Sequence, residues 1–450
     1  MLRRRFPVVL LTLVLLVWTA TGQSLDKSQA IDAFFATYYD AGLFNGSVLV
    51  AENGKVILRK GYGSADFEWQ IPNTPETKFR LGSITKQFTA TLILQLVNER
   101  KLTTDAKLSD VLPYYRKDTG GKITIEHLLT HTSGIPSYTG LPNFMSEVSR
   151  NPYEVRAFVE KYCSGDLEFE PGSTFRYNNS GYFILGAIVE HITGKSYEHV
   201  LKERIFDPLG MSASGYDTTR TLLPKRARGY TQRLSGVINA DYLDMSLPYA
   251  AGSLYSTVDD LYVWDQALYT EKMLPAALKE QMFTPRLSNY GYGWVIRKQP
   301  IGAGKAERTT IGHGGGINGF STQITRVPED RHLVVLLNNT AIGGNNLSLM
   351  TVGAIEILYG RTPPAVRRPV ATVLYKTVTQ SGVDAAIAQY REISKTRAAE
   401  FVMGDAELIR LGNELAADNR KADAMKILEL AVQEFPQSRA GQLLKELNKR

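Results

Sequence analysis

The chain has 450 residues, with 43% hydrophobic and 22% charged side chains and a formal net charge of +7. That balance excludes wholesale disorder and supplies a sizeable core, at a length that accommodates roughly two to four domains. The charge is mild and spread along the chain, so it gives no footprint for a nucleic acid, and a single cysteine, Cys163, excludes an intramolecular disulfide framework.

Residues 1–22 read as a secretory signal: Arg3, Arg4 and Arg5 precede an apolar run over 8–17, with small and polar residues around Ala20 and Gly22. The run is shorter than the about 20 residues a membrane span needs. An exported protein, periplasmic or secreted, is therefore expected, with no stable span after signal removal; an uncleaved anchor is the alternative. A helix is predicted over 31–39. Two strands follow, 46–52 and 55–61, split by Asn53-Gly54, a dipeptide that favours a tight hairpin turn. A long amphipathic helix over 83–98 places Phe88, Leu92 and Leu96 on one stripe.

To about residue 280 helices alternate with Gly/Pro/Asn loops. Strands are predicted over 292–297, 322–327 and 333–337, the last two joined through Pro328-Glu329-Asp330, and a helix over 346–359. Strands at both ends with helices between predict an α+β fold, one antiparallel sheet carrying helices on its faces. The segment 361–369, with three prolines and three arginines, reads as a linker. The expected organisation is a signal (1–22), a main domain (23–360), a linker (361–372) and a helical tail (373–450). In the tail, Leu408, Leu411, Gly412, Leu415, Ala424, Leu428, Ala431 and Pro436 follow the 34-residue tetratricopeptide spacing, which a plain amphipathic helical hairpin also fits. So short an array cannot bury a core alone, so the tail is expected to pack on the main domain, on another copy or on a partner.

The chemistry starts at Ser83-Ile84-Thr85-Lys86. A nucleophilic serine needs a neighbour that takes its proton and donors for the oxyanion that follows. Three residues apart on a helix, Ser83 and Lys86 share a face. Lys86 serves as a base once burial lowers its pKa from about 10.4 towards about 7–8. The spacing alone is weak, since Ser24 and Lys27 share it at the presumed new N-terminus. Context makes the Ser83 pair specific. The stretch from Phe79-Arg80-Leu81-Gly82 through Ser83 to Lys86 resembles the active-site helix of the serine β-lactamase and penicillin-binding-protein superfamily, in its class C-type branch with esterases and D-amino-acid peptidases. Tyr177-Asn178-Asn179 is similar to that group's Tyr-x-Asn element. His313-Gly314-Gly315 is similar to its third element, and the loop from His127 to Gly134 (His-Leu-Leu-Thr-His-Thr-Ser-Gly) to a structural hallmark. The resemblance covers about residues 30 to 360.

It implies a five-stranded antiparallel sheet flanked by helices, with a helical lobe alongside and the active site between them. Ser83 would attack the carbonyl, with Lys86 and Tyr177 shuttling its proton. Asn179 would bond Lys86 and the substrate, and the N–H groups of Ser83 and Gly316 would form the oxyanion hole, on the element that holds Gly315. His313 stands where many relatives carry lysine, and a mostly neutral imidazole gives no fixed charge for a substrate carboxylate. The resemblance with this departure implies a serine hydrolase of esters, small amides or peptides, with β-lactam turnover weak or absent. The alternatives are a β-lactamase or D,D-/D-amino-acid peptidase on the same site, a receptor that acylates without turnover, or a catalytically silent binding protein.

Other patterns carry less. Gly314-x-Gly316-x-x-Gly319 matches a dinucleotide fingerprint but precedes a strand pattern instead of a helix. His127 and His131 have metal-ligand spacing without an acidic partner, and a capped turn is the better reading. Gly194-Lys195-Ser196 lacks the first P-loop glycine, and no Gly-x-Ser-x-Gly elbow occurs. No metal or organic cofactor is implied.

Overall fold

Asn53 and Gly54 both adopt left-handed backbone, φ 50° and 75°, which is the two-residue turn whose twist matches a hairpin. It joins the strands Gly46–Glu52 and Lys55–Tyr62 in a computed structural model that describes residues 26–301, 306–341 and 345–449. The predicted signal, residues 1–22, lies outside them. Among the described residues no helix is long and apolar enough to cross a membrane.

The two strands complete a six-stranded antiparallel sheet in the order Val295–Pro300, Glu307–Ile317, Phe320–Val327, His332–Asn338, Gly46–Glu52, Lys55–Tyr62. The sheet therefore has six strands where the resemblance implied five. Its first strand starts at Val295 and not at 292, because Gly293 takes φ 79° and breaks the extended run. Glu307–Ile317, with glycine at 312, 314, 315 and 316, is a strand that composition hides.

His332–Asn338 is buried along its whole length, and its alternate residues serve two cores. Leu333, Val335 and Leu337 join Leu49 on the side of the helical lobe. Val334 and Leu336 join Val48, Val50 and the helices Lys27–Asp40 and Asn346–Leu358 on the other. The lobe is built on two helices that are buried over most of their surface, Thr85–Asn98 and Asn179–Thr193. Phe88 of the first stacks on Trp264 at 4.4 Å.

Beyond the sheet domain, helices Val370–Ser381, Val383–Thr396, Asp405–Ala417, Lys421–Glu434 and Ala440–Lys449 enclose their own apolar cluster. The tail thus buries a core of its own, contrary to the expectation from so short an array, and its first helix begins inside the predicted linker 361–372. Gly412 lets Leu428 approach so closely that a β-carbon there would stand 2.9 Å from the leucine. The tail meets the main domain at the strand Tyr230–Arg233 and the turn after it. There the Glu414 carboxylate accepts from the Leu234 N–H (2.9 Å) and from Arg233 (3.3 Å).

Candidate active site

Gly82 adopts φ 55°, which turns the chain from the strand Phe79–Arg80 into a 3₁₀ turn, Gly82–Ile84, before the α-helix begins at Thr85. The predicted helix start at Ser83 is thus a 3₁₀ turn, and Lys86 follows in the first turn of the α-helix, so the three-residue spacing across this junction keeps the two side chains on one face. The consequence is direct: Lys86 Nζ stands 3.0 Å from Ser83 Oγ. Lys86 is wholly buried, and loss of water pushes its pKa well below the usual lysine value.

Two oxygens that only accept complete the surroundings of Nζ, Asn179 Oδ1 at 2.8 Å and the Ala251 carbonyl at 2.9 Å. A neutral amine has two hydrogens and one lone pair. The two carbonyls take the hydrogens, which leaves the lone pair facing the Ser83 hydroxyl. Asn179 is held in turn, its amide nitrogen donating to Thr139 Oγ1 at 3.2 Å. It opens the helix Asn179–Thr193, whose N-cap is Asn178, with a side chain that accepts from Gly181 N–H at 2.9 Å. Ala251 reaches the site because Gly186 of that helix has no side chain: a β-carbon there would meet Ala250 at 2.4 Å.

Tyr177 closes this group from the other side, its ring centroid 4.8 Å from Lys86 Nζ. The outer edge of the residue faces the cleft, with 39% exposed. Its hydroxyl is drier, and desolvation raises its pKa against the opposing effect of a hydrogen bond with Ser83. The lysine is pushed towards the free base and the tyrosine towards the neutral phenol, so their acid–base roles separate.

His313 joins the cluster 6.0 Å from the Tyr177 ring, and both its nitrogens are occupied. Nδ1–H donates to the Gly314 carbonyl at 2.6 Å, and Nε2 accepts from the Tyr290 hydroxyl at 2.9 Å. Burial, and then the charge that Lys86 carries when protonated, lower its pKa to about 4. It is a neutral imidazole at pH 7, without a free donor for a substrate carboxylate.

Gly315 and Gly316 bring the strand Glu307–Ile317 against the Ser83 turn, with Gly316 N 2.9 Å from the position a β-carbon on Gly82 would take. Thr322 Oγ1 donates to Leu81 O at 2.7 Å and ties the two segments together. In front of Ser83 lies a cavity of about 130 Å³ walled by Tyr138, Thr139, Phe144, Leu243 and Asn318.

The structure thus brings Ser83, Lys86, Tyr177, Asn179, His313, Gly315 and Gly316 to one place. The sequence reading missed Tyr290, Thr139 and the Ala251 carbonyl. Tyr290 opens an alternating Tyr/Gly/Tyr/Gly/Trp run that carried a signal, whereas a main-chain acceptor has no residue type to read. His127 and His131 do separate jobs: His127 is the third residue of a capping box with Thr124, and His131 packs beside Tyr177 at 4.3 Å.

A family model described as Beta-lactamase matches residues 31–350. Penicillin-binding protein 4* of Bacillus subtilis (strain 168) is 31% identical over 368 residues, 76% of this chain and 79% of that protein. Teichoic acid D-alanine hydrolase of Staphylococcus aureus is 29% identical over 315 residues, 69% of this chain and 73% of that one. Among solved structures, a D-stereospecific amidohydrolase from Streptomyces sp. superposes with a TM-score of 0.59 at 27% identity, covering 73% of this chain and 97% of that one.

Proposed function

Since the chain belongs to the beta-lactamase family and is a serine hydrolase, we propose that it is exported and cleaves esters and small amides through an acyl-enzyme on Ser83. The observation that carries this reading is the buried Lys86, its two hydrogens taken by Asn179 and Ala251 and its third direction aimed at Ser83 Oγ. Lys86 takes the hydroxyl proton as Oγ attacks the carbonyl carbon. The N–H groups of Ser83 and Gly316 receive the oxyanion, a contribution worth about 10²–10³ in rate for each donor. As the tetrahedral intermediate collapses, the proton passes from Lys86 through the Tyr177 hydroxyl to the departing oxygen or nitrogen. Water then attacks the acyl-enzyme, its proton returns along the same path, and Ser83 is restored.

The names of two relatives, a D-alanine hydrolase and a D-stereospecific amidohydrolase, favour a D-aminoacyl group as the part transferred to Ser83. The neutral, fully engaged His313 favours substrates without a carboxylate beside the scissile bond over β-lactams. The basic and apolar segment at residues 3–17 supports export.

The test is the intact mass of the protein after a fluorophosphonate and, separately, after a penicillin, with the adduct mapped by peptide. A fluorophosphonate adduct on Ser83 that is absent from Ser83→Ala is expected, with little or no penicillin adduct. D-Alanyl esters should be hydrolysed faster than L-alanyl ones. Cephalosporin turnover faster than that of any simple ester would overturn the substrate assignment.

A further inference from the structure

We infer that His131 is a positioning residue for this reaction, setting where the Tyr177 ring and the start of the Asn179 helix stand relative to Lys86 and Ser83. The inference rests on the reading of Ser83 as the nucleophile. One residue grips the Tyr-x-Asn element in three ways. The His131 carbonyl accepts from Arg176 N–H at 2.9 Å, and ring Nδ1 accepts from Asn178 N–H at 3.0 Å. Between those two bonds, the His131 ring packs on Tyr177 with centroids 4.3 Å apart. Its other side meets Tyr290 at 4.6 Å, the residue whose hydroxyl engages His313. The ring therefore touches the Tyr-x-Asn element directly and reaches the His313 element through Tyr290.

Two features separate this arrangement from ordinary packing. His131 holds a left-handed backbone, φ 59°, a conformation that costs energy for most side chains and is kept where the surroundings demand it. Because Nδ1 accepts, the ring hydrogen sits on Nε2, and this buried nitrogen has no hydrogen-bond partner among the described residues. A residue chosen only to fill the space would be Phe or Leu, with no polar atom to leave unmatched. What the site requires is an acceptor for Asn178 N–H, a flat ring behind Tyr177 and a tolerated left-handed backbone, and His supplies all three. Asn supplies the first and last; Phe supplies only the ring.

The test compares His131→Ala, His131→Asn and His131→Phe in the full chain, measuring kcat and KM on a neutral nitrophenyl ester together with the thermal melting point. Misplacing a catalytic group by about 1 Å costs on the order of 10²-fold. His131→Ala and His131→Phe should therefore lose about that factor in kcat with KM nearly unchanged. His131→Asn should recover roughly tenfold over His131→Ala, because its side-chain oxygen takes over the Asn178 bond. A kcat within about threefold of the parent in folded His131→Ala, or no gain of His131→Asn over His131→Ala, overturns the inference. Ser83→Ala runs in parallel: if it stays active the nucleophile assignment fails, whereas an inactive Ser83→Ala beside a fully active His131→Ala sinks only the role given to His131.

Discussion

Gly315 lies against Leu81 so closely that a β-carbon on Gly315 would stand 1.9 Å from the Leu81 carbonyl oxygen. That oxygen is main chain and already accepts from Thr322, so neither partner can yield without moving the strand away from the Ser83 turn. Gly316, its neighbour, has open space where a β-carbon would go. Gly315→Ala is therefore expected to lower kcat by at least about 10²-fold, the scale of losing an oxyanion donor, while Gly316→Ala stays within a few fold. Steady-state rates of the two purified variants decide the matter, and equal effects would refute the contact argument.

Lys86 makes a sharper chemical test. An arginine cannot shed its proton near neutral pH, so Lys86→Arg installs a permanent cation and loses the base. Both Lys86→Arg and Lys86→Ala should fall by about 10²–10⁴ in acylation rate. Single-turnover labelling by a slow ester measures it. An active Lys86→Arg would mean that a positive charge, and not a free amine, is what Ser83 needs there.

The buried histidines tie stability to acid. His313 has a folded pKa of about 4 against an ordinary value of 6.5, and burial shifts His131 in the same direction. The unfolded chain therefore binds more protons between those values, and stability falls as pH drops from about 6.5 towards about 4. By pH 5 His313 alone removes about 2 kcal/mol. Urea midpoints at pH 7, 6 and 5 should decline in step, and a flat series would contradict neutral, buried imidazoles.

The tail and the sheet domain own separate apolar clusters and meet through a small contact, Glu414 with Leu234 and Arg233, Arg233 with Asp418, and the Leu234 side chain on the tail's cluster. Ending the chain after Gly360 should leave ester hydrolysis within about twofold and the melting point within a few degrees, since losses at such partly exposed contacts are small. Calorimetry of the two forms gives the answer; collapse of the shortened chain would make the tail part of the main fold.

What the sequence disclosed was whatever local chemistry writes down. Asn53-Gly54 required left-handed backbone and gave the hairpin; the Leu333–Leu337 run required burial on both faces and gave the central strand. Ser83 and Lys86 met because three-residue spacing is a local constraint. What stayed hidden depended on pieces remote in the chain. The strand Glu307–Ile317 was not among the predicted strands, because Gly315 and Gly316 are there for the approach of Leu81 and Gly82, not for a turn. Ala251 contributes a carbonyl that any residue has, and His131 earned only a capping role until its fold neighbours Tyr177 and Asn178 were in view.

The sheet order also bears on how the molecule comes into being. Gly46–Glu52 pairs directly with His332–Asn338, and Asn45 bonds Asn338 across 293 positions. Such pairing is slow, because the entropy of closing so long a loop is spent before any ladder forms. Ser83 leaves the ribosome early, yet the strand that presses on its turn is among the last parts of the domain to emerge. On the role proposed for Ser83, the nucleophile is made early but its site is complete only once the two ends of the domain have joined.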